Sequence, residues 1–199
     1  LESIGLRPIN AVVDITNFVM WELGRPMHAY DLDKLGGERL RVRHAHAGEK
    51  LLTLDEIERT LTADDLVIAD ADTAVGLAGL MGGELTGVTG STRRVLLECA
   101  AFDPSTVRAM ARRHGMHTDA SHRFERGLTT HGPATALRRA AGLIAETCGG
   151  RITSEMLDVC HQPTERPVID LPAERVQGLL GDEIPAEEVD RILVGLGFD

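Results

Sequence analysis

The chain has 199 residues, a formal net charge of -10 at pH 7, 43% hydrophobic residues and 26% charged residues. That length can bury a real core, and the composition is ordinary for a soluble globular protein. No apolar run approaches membrane-spanning length and no signal-peptide pattern opens the chain, so a cytoplasmic protein with no membrane partner is expected. Cys99, Cys148 and Cys160 form no regular framework. They point to a reducing compartment, each reading as a small buried hydrophobe. The opening Leu1-Glu2-Ser3 and the helical pattern still running at Gly197-Phe198-Asp199 suggest a piece of a longer polypeptide.

In chain order, Pro8 suits a first helical turn, and Val12, Phe18, Val19 and Leu23 can share an apolar helix face up to Gly24. Arg25-Pro26 breaks that helix and leads into Met27-His28-Ala29-Tyr30-Asp31. Short strands are predicted at 40–43, 50–53, 59–61, 66–69, 74–81 and 95–99, separated by turn residues at antiparallel spacing. Asp103-Pro104-Ser105 caps a helix that runs through Val107 and Met110 toward His114, where Gly115 stops it. A longer helix covers Pro133 to Cys148, ended by Gly149-Gly150, and 152–159 reads as a returning strand.

Residues 161–167 hold two prolines and no apolar residue, which marks a boundary between domains at 1–162 and 167–199. A strand at 168–171 is expected next. A helix then starts at Pro172 and ends at Gly178 or Gly181. Another starts at Pro185, with Val189, Ile192, Leu193 and Leu196 on one face. So short a tail cannot build an independent core, so the second domain reads as truncated.

The segment Arg112 to Gly127 carries Arg112, Arg113, Arg123 and Arg126 with His114, His117 and His122. A basic, histidine-rich loop on an acidic protein suggests an anionic ligand, and RNA phosphate is the natural candidate. The alternative is internal pairing of Arg123 and Arg126 with Asp119 and Glu125. The histidines lack a complete metal-ligand set, and Ser121-His122 lacks a nucleophile elbow. Gly82-Gly83-Glu84 reads either as a tight turn or as a pocket wall, without the glycine spacing of a phosphate loop. Neither zinc nor ATP is therefore expected to bind. Glu98 stands in an otherwise apolar run from Val95 to Phe102. Strand alternation places it opposite Leu97 and Cys99, either on an exposed sheet face or lining a pocket.

In order, Leu6 to Phe18, Glu22 to Asp31, MGGELTGV (81–88), LLECAAF (96–102) and RRHGMHTDASHRFERG (112–127) resemble the editing module of the bacterial phenylalanyl-tRNA synthetase beta subunit. The resemblance covers about residues 3–160, and the tail from Pro167 resembles the start of the next domain. It implies an α+β fold, a layered β-sandwich with flanking helices. It also implies hydrolysis of tyrosine wrongly attached to the phenylalanine tRNA. His28 and Asn17 correspond to the polar residues near the ester and its attacking water. Gly82, Gly83, Thr118 and Ala120 correspond to the substrate pocket, and Glu98 to the acceptor of the tyrosine hydroxyl. The implied partners are tRNA(Phe) and an alpha subunit, in a heterotetramer. ATP and magnesium are expected for the full synthetase and no cofactor for this segment. The sequence departs from the family at Arg25, usually glutamine, at Phe18, usually tyrosine, and at Leu128-Thr129-Thr130, usually Val-Asp-Pro. The alternative is a non-catalytic module kept for tRNA or subunit contacts.

Overall fold

Asn10, rather than Pro8, opens the first helix. Its side chain accepts a hydrogen bond from the Val13 amide, and α1 runs Ala11–Leu23. The computed structural model describes residues 1–160 and 168–198, so the predicted boundary at 161–167 lies outside the described residues. The chain divides into two units, Leu1–Pro163 and Thr164–Asp199.

The first unit is built in layers. Strands β1 (His28–Asp31), β2 (Arg41–His44), β3 (Lys50–Leu52), β4 (Glu58–Thr60), β5 (Leu66–Ala69), β6 (Ala74–Leu77), β7 (Met81–Gly82) and β8 (Val95–Glu98) form antiparallel sheets. A central sheet has the order β2-β5-β6-β7, and β1-β8 and β3-β4 form two ribbons. Alternation along the strands gives each face its own neighbour. Val67 and Leu77, paired across β5 and β6, join a core with Val107, Met110 and Ala111 of α2 (Pro104–His114). Ile68, on the opposite face, clusters with Tyr30 and Leu96 of the β1-β8 ribbon. The ribbon's other face, with Leu97 and Cys99, packs on Val19 of α1 and on Ala136 and Ala140 of α4 (Pro133–Cys148). The expected β-sandwich with flanking helices is therefore present.

Several elements differ from the sequence reading. Val19 is buried as expected, but Phe18 and Leu23 are 43% and 41% exposed, and Thr16 and Met20 are buried beside Val19. The stretch 28–31, given no element in the sequence reading, is strand β1. The strand predicted at 74–81 is split into β6 and β7 by Gly79, which takes a φ of 72°. The basic segment contains a helix, α3 (Asp119–Phe124), held by a capping box between Thr118 and Ser121. Residues 152–159 and 168–171 form no strand. Cys99 is half-buried, but Cys148 and Cys160 are exposed rather than core hydrophobes. In the second unit α5 (Ala173–Leu180) ends at Gly181 and α6 spans Ala186–Gly195, and neither buries a residue. Among the described residues no helix is long and apolar enough to cross a membrane.

A buried carboxylate ties α2 to the loop before β5. The Asp65 side chain is 0% exposed, accepts from the Thr62 amide at 2.8 Å and pairs with Arg113 and with His114 Nε2 at 3.1 Å. Burial pushes its pKa up, but the Thr62, Arg113 and His114 contacts outweigh this and hold it below the ordinary value. Arg112 and Arg113 are both exposed, but Arg113 is thereby committed to the fold through Asp65. Removing Arg113 takes one of three partners from a buried carboxylate and leaves the Thr62 amide and His114, so Arg113→Ala is expected to lower unfolding free energy by about 2 kcal/mol. Arg112→Ala is expected to change it by less than about 0.5 kcal/mol. Denaturant midpoints compare the two, and equal effects would contradict this assignment.

Candidate functional site

The ribbon and the central sheet face each other across a small cavity. On β1 and β8, His28 pairs with Glu98 and Tyr30 with Leu96, so His28, Tyr30 and Glu98 project from one face. Opposite them the sheet presents glycine. Gly76 and Gly82 are register partners on β6 and β7. A Cβ on Gly82 would lie 2.3 Å from the His28 ring, and one on Gly76 would lie 3.7 Å from the Tyr30 hydroxyl. The cavity measures about 90 Å³, and Leu77, Leu80, Phe102, Ala120 and Phe124 supply most of its apolar wall. A single water needs only about 10–15 Å³, whereas whole-ligand pockets run to about 300–1,000 Å³. The space suits one side chain of a ligand, with the remainder outside.

Low polarity sets the chemistry of the two titratable groups. Glu98 is partly exposed to the cavity yet enclosed by protein. Burial pushes its pKa up to about 7, although the Tyr30 hydroxyl, donating to Oε2 at 3.2 Å, works in the opposite direction. The Tyr30 pKa moves upward through burial and the nearby carboxylate, so its hydroxyl keeps its proton. Burial lowers His28 to about 4, so the imidazole is neutral at pH 7. His28 Nε2 is buried without a hydrogen-bond partner, and its ring meets Tyr30 edge-on with centroids 4.4 Å apart. Such an orphan polar atom facing a cavity is rare and fits a ligand or water contact.

The remaining candidates divide by position. Gly82 and Ala120 line the cavity with His28 and Glu98. Gly83 does not. Its amide donates to the Val75 carbonyl at 2.7 Å, and a Cβ there would meet that same oxygen, so it serves strand packing. Thr118 is also outside. Its hydroxyl accepts from the Ser121 amide and donates to the Leu80 carbonyl, both at 3.0 Å, which ties α3 to the cavity wall. Asn17 lies half-buried on α1 and is not among the lining residues. Tyr30, Gly76 and Phe124 belong to the site but escaped the sequence reading. The alternation His28-Ala29-Tyr30 was the signal for the first, since it repeats the polar-apolar period of a strand.

The basic segment is largely paired. Arg113 is held by Asp65. Arg123 donates to the Asp119 carbonyl at 2.8 Å and carboxylate at 3.2 Å, and Arg126 donates to Glu125 at 2.8 Å. The internal-pairing alternative thus describes Arg123 and Arg126 in this structure. Among these four arginines only Arg112 has no recorded partner among the described residues. Two of the departures from the family pattern meet each other. Arg25 donates to the Thr129 carbonyl at 2.6 Å and hydroxyl at 2.7 Å, and a Cβ on Gly132 would collide with the guanidinium at 2.3 Å. Arg25 thereby anchors the exit of the basic segment.

His28 and Glu98 oppose each other in their effect on stability. Keeping His28 neutral costs stability as pH falls from 6.5 toward about 4. Keeping Glu98 in its apolar site costs stability as pH rises from 4.5 toward about 7. In the overlap the slopes offset. Glu98→Gln is expected to leave stability rising with pH in that range, and His28→Gln to leave it falling. Each slope should total about 1–3 kcal/mol, allowing for screening by cavity water. Urea unfolding across pH 4–8 measures this, and two variants with the same slope as the parent would contradict it.

The family model for the B3/4 domain matches residues 1–149. The phenylalanine–tRNA ligase beta subunit of Pseudomonas fluorescens is 50% identical over 200 residues, covering 100% of this chain and 25% of that protein. The beta subunit of Geobacter metallireducens is 46% identical over 198 residues, with the same coverage. A crystal structure of an N-terminal fragment of the Pyrococcus horikoshii phenylalanyl-tRNA synthetase beta subunit aligns with a TM-score of 0.49 and 15% identity, over 92% of this chain and 54% of that one. The chain spans about a quarter of the length of the curated relatives it matches. With the B3/4 model covering every strand and helix described in the first unit, this chain belongs to the B3/4 domain family.

Proposed function

We propose that the cavity is a hydrolytic site for the ester that joins tyrosine to the phenylalanine tRNA. On this reading the chain is part of a phenylalanine–tRNA ligase beta subunit acting in the cytoplasm with an alpha subunit and tRNA. ATP and magnesium serve the synthetic site elsewhere in that assembly. The observation that carries the reading is Glu98, a carboxylate enclosed by apolar walls and already accepting a phenolic hydroxyl from Tyr30. A second phenol, from the substrate, would find the same acceptor. Phenylalanine offers no donor, and a site built around a buried acceptor disfavours a ligand that leaves it unpaired.

His28 is too weak a base at a pKa of about 4 to take a proton fully at pH 7. Its free Nε2 instead orients a water or the ester by a hydrogen bond. The rate then comes chiefly from holding water and carbonyl together in a small space, with no protein nucleophile. Gly82 is integral to this, because any side chain there would displace His28.

Glu98→Ala should slow tyrosyl-tRNA hydrolysis by roughly ten- to a hundredfold, the value of one hydrogen bond to a charged group. It should also narrow the gap between tyrosyl- and phenylalanyl-tRNA. In the parent protein the tyrosine preference should increase as pH rises through about 7, where Glu98 ionises and becomes the better acceptor. Ala120→Trp should block both substrates by filling the cavity. Single-turnover deacylation of both charged tRNAs tests all three. Full discrimination by a folded Glu98→Ala protein would refute the reading.

Arg112 is proposed as the phosphate contact of the basic segment. Arg112→Ala should weaken tRNA binding and reduce the slope of log affinity against log salt by about 0.7–0.9, the contribution of one released counterion. An unchanged slope in a salt titration would remove Arg112 from the interface.

A further inference from the structure

A second concavity lies on the other side of α3. We propose that this hollow, walled by Trp21, His117, His122 and Arg123, seats the terminal nucleobase of the RNA whose ester enters the cavity. The proposal rests on reading the cavity as an aminoacyl-ester site. Its basis is the division of α3. Ala120 and Phe124 line the cavity, whereas Asp119, His122 and Arg123 line the hollow. The cavity measures about 90 Å³ and the hollow about 470 Å³. An amino-acid side chain in the former leaves its nucleoside outside, beside the short helix that both spaces share.

The chemistry of the hollow selects a base rather than a phosphate. Trp21 is the chain's single tryptophan and is 45% exposed. The Arg123 guanidinium lies 4.6 Å from its ring centroid. Asp119 fixes that guanidinium through its carbonyl and its carboxylate. The result is a flat cation on a flat aromatic, with its charge already met. Asp119 and Glu125 on the same wall disfavour a phosphate. An uncharged heteroaromatic ring suits this surface, since bases stack on tryptophan and on guanidinium planes alike. His117 and His122, both exposed, supply edge hydrogen bonds.

The test compares tyrosyl-tRNA carrying an intact 3′-terminal base with tyrosyl-tRNA carrying an abasic ribose there. Hydrolysis is followed in single turnover at subsaturating full-length protein. Trp21→Ala should slow the intact substrate by about 5- to 100-fold, the range one base–aromatic stack supplies. Trp21→Phe should recover most of that rate. The abasic substrate should be slow with the parent protein and indifferent to both substitutions. In the 199-residue chain, whose first unit encloses its own core, uncharged tRNA should quench the single tryptophan's fluorescence. Abasic tRNA should not. Equal loss on both substrates, no loss on either, or equal quenching would overturn the proposal. If the parent hydrolyses both substrates at one rate, only the base site fails. If it hydrolyses neither, the ester-site reading fails and this proposal with it.

Discussion

The site depends on a close approach between two layers of strands. Tyr30 and His28 are large rings on a ribbon that stacks against a sheet, and stacked sheets need about 10 Å between them. The sheet meets the rings with Gly76 and Gly82, paired side by side. That glycine pair removes two side chains and lets the imidazole sit against the opposing backbone. Had ordinary core residues stood there, the rings would be forced out and the cavity with them. The same arrangement explains why the space is small. Glycine lines it on the sheet side, and leucine, phenylalanine, methionine and isoleucine side chains close much of the rest.

Burial then decides protonation. A carboxylate and an imidazole placed in water would be opposite charges at pH 6. In this cavity burial moves both toward neutrality, Glu98 upward to about 7 and His28 downward to about 4. They face one space from paired positions without forming an ion pair. What the cavity holds is a hydrogen-bonding surface whose charge changes near neutral pH. Tyr30 completes it by occupying one carboxylate oxygen and leaving the other available.

The sequence made the fold class legible through spacing. Strands at 66–69 and 95–99, the cap at Asp103 and the glycines after α2 and α4 all carry local signals, and they stand where those signals place them. The alternation around Glu98 put it on the face away from Leu97 and Cys99, which is where it lies. What was not legible depends on partners distant in the chain. Asp65 accepts Arg113 across 48 residues, so Arg113 read as a free cation when it is tied to a buried carboxylate. Thr118 read as a pocket residue; its hydroxyl caps α3 and donates to Leu80, and it stands on the wall of the outer hollow, not of the cavity. Gly83 likewise resembles Gly82 in one dimension, and only the sheet separates the packing glycine from the cavity glycine. The strand 28–31 also depends on a distant partner, since it pairs with β8 at 95–98.

These long-range ties give the basic segment a consistent physical character. Charge-rich sequence at the surface suggests a mobile, solvated loop. Here Arg113 is fastened to Asp65, Arg123 to Asp119 and Trp21, Arg126 to Glu125, and Arg25 holds the exit at Thr129. These arginines thus work as struts, Arg113, Arg123 and Arg126 each against a carboxylate and Arg25 through hydrogen bonds to Thr129. What they order is α3, a six-residue helix too short to be stable by itself. Ala120 and Phe124 are carried on that helix into the cavity wall. The electrostatic network outside therefore fixes the apolar geometry inside. The Leu128-Thr129-Thr130 departure is compatible with that role because Arg25 supplies the matching donor pair and Gly132 leaves room for it.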